Sequence, residues 1–232
     1  MLELSNRLQA VLARMAGAAA AAGRPADAVR LLAVSKTRSA EEIRSLFACG
    51  QTAFGENYVQ EAEVKMAALA DLAVEWHHIG RIQSNKTRFI AQRFQWVHGI
   101  TDEHQAHRLS RQRPGELPPL DVCIQVNVSQ EATKAGVGLA AVPALAQAVA
   151  ALPNLRLRGL MAIPEPADDV ASQRRPFRAL RELRDRLRDG GLELDTLSMG
   201  MSDDLEAAIL EGATIVRVGT ALFGPRPVKP LR

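Results

Sequence analysis

The sequence is poor in aromatic residues and in cysteine. Only 4% of its 232 residues are aromatic, with two tryptophans and a single tyrosine, and it has two cysteines. A surface that grips nucleic acid without reading bases needs stacking rings or a clustered basic stripe. The formal charge is only +3, and the arginines are interleaved with acids, so nucleic-acid binding is disfavoured. The densest basic run, Arg174 to Asp189, carries seven arginines but also Glu182, Asp185 and Asp189. Phe177, Leu180, Leu183 and Leu187 recur through it at helical spacing, which reads as an amphipathic helix with a solvated face. Cys49 and Cys123 are too few and too far apart to form a disulfide framework or a metal site. No apolar run is long enough to span a bilayer. The first 22 residues carry Glu3, Arg7 and Arg14 and read as an amphipathic helix rather than a secretory signal. The expectation is a cytoplasmic protein with reduced thiols, without membrane or nucleic-acid partners.

What is present is an ordinary globular composition, 47% apolar and 24% charged. A chain of this length buries roughly 70–75% of its unfolded surface without staples. After the opening helix and the Gly23–Pro25 break, short apolar runs alternate with amphipathic stretches. Strands are expected at Val29–Ser35, Thr52–Phe54, Val74–Ile79, Trp96–Ile100, Val122–Val128, Leu155–Met161, Leu194–Ser198 and Thr214–Val218. Helices lie between them, the first opened by a capping box of Ser39 and Glu42 and ended by Gly50. Eight such units with short connections specify an α/β fold, a single-domain (β/α)8 TIM barrel over residues 1–232 with an extra N-terminal helix. A doubly wound open sheet is the structural alternative.

Barrels of this kind work at the carboxyl ends of their strands. Lys36 ends the first strand with the parity of Leu32 and Val34, so it faces the barrel mouth. An amine there is partly desolvated and suited to imine formation with an aldehyde, although a solvated lysine at a strand end is the ordinary case. Ser198-Met199-Gly200-Met201-Ser202 and Arg217-Val218-Gly219-Thr220 follow the seventh and eighth strands, where barrels build phosphate sites. Glycines there let backbone approach an anion, and the Ser198 and Thr220 hydroxyls add donors; plain turn geometry explains them about as well. Arg217 shares the parity of Ile215 and points inward, which requires an acceptor. That acceptor is a structural ion pair or, if a pyridine ring enters, its nitrogen. An arginine does not release its proton, so the ring nitrogen would stay unprotonated and the ring would be a poor electron sink. Asn57, after the second strand, is either a hydrogen-bond donor to a bound ring or a helix cap.

Taken together, Ala33–Thr37, Phe54–Gln60, the stretch from Trp76 to Lys86, Gly159-Leu160-Met161, Ser198–Asp203 and Val216–Gly224 resemble the pyridoxal phosphate homeostasis proteins. These are barrels related to the N-terminal domain of alanine racemases, and the likeness runs from about residue 5 to 227. The resemblance implies pyridoxal 5'-phosphate held as a Schiff base on Lys36. It places Ser198, Gly200, Gly219 and Thr220 around the phosphate with Met199 nearby, Arg217 at the pyridine nitrogen, and Asn57 and Met161 along the ring. His78, where an aromatic is usual, and Arg81, where proline is frequent, depart from the family's pattern beside the site.

Racemisation needs a second base on the opposite face of the substrate. In racemases a tyrosine from a separate β domain supplies it. The only tyrosine here, Tyr58, belongs to a helix where packing is its ordinary use. The expected function is therefore a non-catalytic, monomeric carrier that buffers pyridoxal 5'-phosphate and passes it transiently to apo-enzymes. A weak amino-acid racemase and a cofactor-free Schiff-base aldolase are the rivals. Lys65, Lys134 and Lys229 are further amines available for transfer, solvation being the common use of a surface lysine.

Overall fold

The computed structural model describes residues 2–129 and 135–225. Eight parallel strands form the barrel: β1 (Arg30–Val34), β2 (Ala53–Glu56), β3 (Glu75–His78), β4 (Trp96–Ile100), β5 (Leu120–Asn127), β6 (Leu155–Met161), β7 (Thr196–Ser198) and β8 (Ile215–Val218). Their order around the sheet is β4-β3-β2-β1-β8-β7-β6-β5, and β4 pairs with β5 to close it. A two-residue strand, Val137–Gly138, adds to the end of β5.

The outer ring consists of α2 (Ala40–Ala48), α3 (Val59–Ala68), α4 (Thr87–Arg93), α5 (Glu103–Gln112), α6 (Val142–Ala150), α7 (Val170–Asp189) and α8 (Leu205–Leu210). The helix after β8, α9 (Thr220–Phe223), has four residues and cannot cover its share of the barrel. The N-terminal helix α1 (Leu2–Ala21) takes that place, packed on α8, α9 and α2 and burying Leu8, Val11, Met15, Ala18 and Ala19. It is therefore the closing member of the ring rather than an appendage. The capping box expected at Ser39 is present, with the Ser39 side chain accepting from Glu42 N–H and the Glu42 carboxylate from Ser39 N–H.

Two apolar clusters show the layering. The larger lies between strands and helices; the smaller fills the barrel's inside with Leu32, Ala53, Trp96, Cys123, Met161 and Ile215. Leu32 and Ile215 lie in that inner cluster, as strand parity requires of residues that alternate across a sheet. Burial pushes the Cys123 thiol up. No helix among the described residues is long and apolar enough to cross a membrane.

The arginine-rich helix departs from a simple solvated face. Arg174, Arg178 and Arg181 of α7 converge on the buried carboxylate of Glu211, at the end of α8, at 2.7, 3.0 and 2.9 Å. Three of the run's seven arginines thus clamp the helix that follows β7, a pairing no local pattern announces.

Candidate functional site

The chain leaving β1 is held unusually firmly. Ser35 is fully buried, with its N–H on Gly55 O. Its hydroxyl donates to Glu56 at 2.6 Å, and its carbonyl accepts from Lys65 Nζ at 2.8 Å. Lys65 also donates to Glu56 at 2.8 Å. Two residues on, Thr37 has φ +65°, a left-handed conformation costly for a β-branched residue, with its N–H on the Glu61 carboxylate at 2.8 Å. Lys36 lies between these two anchors and is half-buried. Lys65, expected at the surface, is a buried clamp instead; Lys134 and Lys229 lie outside the described residues.

At the far wall stands Arg217. It is 4% exposed, and its contacts are neutral oxygens: Nη1 donates to Ser198 O at 2.5 Å and to Ser198 Oγ at 2.8 Å, and Nη2 to Ala162 O at 2.8 Å. The structural ion pair weighed from the sequence is not what satisfies it. Burial pulls the guanidinium down to about 10, against the pull of Asp204, so it stays a cation at neutral pH.

Between Lys36 and Arg217 opens a cavity of about 200 Å³, which Asn57, Gly219 and Thr220 also border. Apolar walls come from Val34, Ile79 and Ile163, and a polar end from Met201, Ser202 and Asp203. A larger depression of about 740 Å³, bordered by Arg156, Arg158 and Asp195, lies at the barrel's opposite, amino-terminal end. Strand direction and the chemistry of the lining both favour the smaller one.

The remaining expected residues stand behind the cavity. Ser198 is fully buried, its hydroxyl occupied by Arg217 and by His98 Nδ1 at 2.7 Å. Met199 belongs to the outer core and Met161 to the inner one. Gly200 has φ +93°, and a Cβ on it would sit 2.6 Å from the Ala208 side chain. Glycine is required there for helix packing. Asn57 is not a helix cap: Tyr58 occupies that position, and Asn57 faces the cavity. Gly80, inside the Trp76–Lys86 motif, explains how Asn57 is placed, since a Cβ on Gly80 would lie 2.1 Å from Asn57 O. Only a glycine lets the loop after β3 lie on the loop after β2.

Sequence reasoning named Ser202, Asp203, Ile79 and His77 only inside motifs and gave them no role of their own, and it passed over Ile163 and His98; the first three and Ile163 border the cavity, and the two histidines back it. The histidines carry the inward parity of their strands, and that was the available signal. Burial lowers both imidazoles, His98 well below the usual histidine range with the nearby charge of Arg217 assisting.

Residues 7–227 match the family model of the alanine racemase N-terminal domain. The chain is 60% identical over 226 residues to the pyridoxal phosphate homeostasis protein of Pseudomonas aeruginosa, covering 97% of each. It is 48% identical over 229 residues to the protein of the same name from Escherichia coli, covering 97% of this chain and 98% of that one. Among solved structures, PipY of Synechococcus elongatus with pyridoxal 5'-phosphate bound superposes with a TM-score of 0.83 at 36% identity, over 95% of this chain and 100% of that one. An alanine racemase from Corynebacterium glutamicum shares the fold, with a TM-score of 0.69 at 21% identity, over 97% of this chain and 63% of that one.

Proposed function

We propose that this chain, which belongs to the family of pyridoxal phosphate homeostasis proteins, holds pyridoxal 5'-phosphate in its barrel mouth through Lys36 and stores it for other proteins without turning over a substrate of its own. One observation carries the site assignment: Lys36, Asn57, Arg217, Gly219 and Thr220, brought from β1, β2 and β8, border one cavity. The donor set fits the group. An aldehyde asks for an amine, a pyridine nitrogen for a hydrogen-bond donor, and a phosphate for hydroxyl and backbone donors; the lining of the cavity offers all three.

In this reading Lys36 would hold the cofactor through its aldehyde, the group for which an amine at this place in the barrel mouth is suited. The turn before and after Lys36 fixes where that nitrogen sits. Gly219 with the Thr220 and Ser202 hydroxyls receives the phosphate, and Asn57 borders the ring. The bound cofactor supplies a conjugated electron sink whose power depends on protonation of its nitrogen. Arg217, a cation that keeps its protons, leaves that nitrogen unprotonated and the sink weak, which suits storage better than catalysis.

The test is spectroscopic. The purified protein should be yellow and bleach on borohydride, and Lys36→Ala should lose the colour. Thr220→Ala should keep it and bind about tenfold more weakly, the worth of one hydrogen bond to a charged group. Mass spectrometry after reduction that found the adduct on a different lysine would overturn the assignment. A weak racemase would need a second proton-transfer group. Tyr58 is exposed, at the start of α3, which leaves Asp203 as the carboxylate at the cavity. Turnover of D- and L-amino acids at roughly 1–1000 per second would defeat the carrier reading.

A further inference from the structure

Behind Arg217 a single file of hydrogen bonds crosses the inside of the barrel. Arg217 Nη1 meets Ser198 Oγ at 2.8 Å, and Ser198 Oγ meets His98 Nδ1 at 2.7 Å. His98 Nε2 meets His77 Nδ1 at 2.9 Å, and His77 Nε2 meets Glu75 Oε1 at 2.7 Å. At the far end Glu75 Oε2 accepts from Arg30 at 2.6 Å. Ser198, His98 and His77 are fully buried, so no water competes for these atoms.

The direction of every proton in this file is determined from its carboxylate end. Burial alone would raise the Glu75 carboxyl, but the hydrogen bonds from His77 and Arg30, with the charge of Arg30, outweigh it and hold it at about 2. Glu75 is therefore a carboxylate that only accepts, and His77 Nε2 carries its proton. A neutral His77 then presents a bare Nδ1, so His98 Nε2 carries the proton between the rings. His98 Nδ1 is bare in turn and takes the Ser198 hydroxyl proton. Ser198 Oγ, its proton spent, accepts from Arg217. Arg217, which can only donate, is compatible with this assignment, because a serine hydroxyl accepts from it while giving its own proton to His98. Donors point one way from the guanidinium to the carboxylate. Polarisation along such a chain strengthens each bond in a low-dielectric interior.

We propose that His98, His77 and Glu75 are positioning residues for Arg217: their one-way chain draws the Ser198 hydroxyl proton away from the guanidinium and leaves the oxygen's lone pairs to it, which fixes the guanidinium with its remaining N–H groups turned to the ring nitrogen of the bound cofactor. This inference rests on the pyridoxal phosphate reading of the cavity. Of the five guanidinium N–H groups, the bonds to Ser198 and Ala162 use three, and two are left for the cavity that Arg217 borders. If the chain reversed, His98 would donate to Ser198 Oγ as well, and the hydroxyl proton, with no acceptor at His98, would be left to point elsewhere in the crowded pocket of the guanidinium and weaken that anchor.

Two measurements test this. Nitrogen NMR of the histidine-labelled protein, without cofactor, should show His77 and His98 neutral, with protons on Nε2 and none on Nδ1. Either ring protonated on Nδ1 overturns the polarity. The second compares binding of pyridoxal 5'-phosphate with its 1-deaza analogue, in which C–H replaces the ring nitrogen. The wild type should prefer the natural compound by about tenfold, one charge-assisted hydrogen bond. His98→Leu should bring the ratio to within about twofold of unity, while His98→Asn, which keeps an acceptor for the serine hydroxyl, should retain most of it. A purely structural histidine would weaken both ligands alike and leave the ratio at its wild-type value, which overturns the proposal. Should His98→Leu fail to fold, Glu75→Leu at the partly exposed end of the chain serves in its place, and an unchanged ratio there has the same consequence. A wild type that binds both ligands equally overturns the positioning role but leaves the cofactor assignment standing; a wild type that binds neither refutes the cofactor assignment itself.

Discussion

The placement of Lys36 is settled one residue earlier. Ser35 is tied by its N–H, its hydroxyl and its carbonyl, and the last two lead to the same pair, Glu56 and Lys65. Glu56 is fully buried, its Oε2 has no hydrogen-bond partner, and burial raises its carboxyl against the pull of Lys65. Such a pair is stable only while both members are present. Lys65→Met should cost about 3–5 kcal/mol, the penalty of leaving one charge buried alone. Adding Glu56→Gln should recover at least half of it. Because a lone Glu56 is held with a raised pKa, it destabilises when ionised, so the Lys65→Met deficit should shrink as pH falls and the carboxyl takes up its proton. Urea titrations of the single and double variants at two pH values check both statements, and an equal cost for single and double variants would contradict them. Parity along β1 and β8 made Lys36 and Arg217 legible in the sequence. Nothing local reveals that Lys65, on an exposed-looking helix, folds back under the preceding strand, nor that His77 and His98, 21 residues apart, share one hydrogen bond.

At the scale of elements, the short helix α8 governs the polar end of the cavity because Ser202 and Asp203 immediately precede it. Arginines hold it from both sides. Arg14 of α1 donates to Glu206 at 2.6 and 2.9 Å and to Ser202 O at 2.9 Å, while three arginines of α7 grip Glu211. α1 therefore does more than complete the ring: it steadies the loop assigned to the phosphate. Arg14→Ala should leave the imine intact, since Lys36 lies on another element, and weaken cofactor binding by about three- to tenfold, as expected for losing part of a charge-assisted network. Equilibrium dialysis measures it, and an unchanged affinity would separate α1 from the site. The eight strands and their order of use were readable from apolar runs and turn residues, and the capping box at Ser39 from its spacing alone. The position of α1 was not, because a helix that closes a ring pairs with elements some 190 residues away and leaves no periodic trace beyond its own amphipathic face.

For the whole molecule, the barrel's interior and its wall carry three buried histidines, His77, His78 and His98, all lowered by burial. A histidine that is neutral when folded and ordinary when unfolded takes up its proton on unfolding. Stability should thus be full above the unfolded value near 6.5 and fall as pH drops below it, until the folded state can also protonate. For His78, lowered from 6.5 to about 4, that window is bounded at both ends. At about 1.36 kcal/mol per unit it removes about 2 kcal/mol by pH 5 and about 3 kcal/mol in full. The carboxylates act lower: Glu75, held at about 2, contributes stability that is lost only as pH falls below the ordinary carboxyl range. Acid should therefore weaken the fold in two stages, first through imidazoles between about pH 6.5 and 4, then through carboxylates. His78 offers the clean separation, because it stands edge-on to Phe94 with Nδ1 buried and unpartnered, outside the His77–His98 file. His78→Phe exchanges an unsatisfied polar atom for a ring of similar shape. It should be at least as stable as the wild type at pH 7.5 and lose about 2 kcal/mol less on going to pH 5. Denaturant midpoints at the two pH values decide it: an identical loss in both proteins would mean that His78 already carries its proton in the folded barrel.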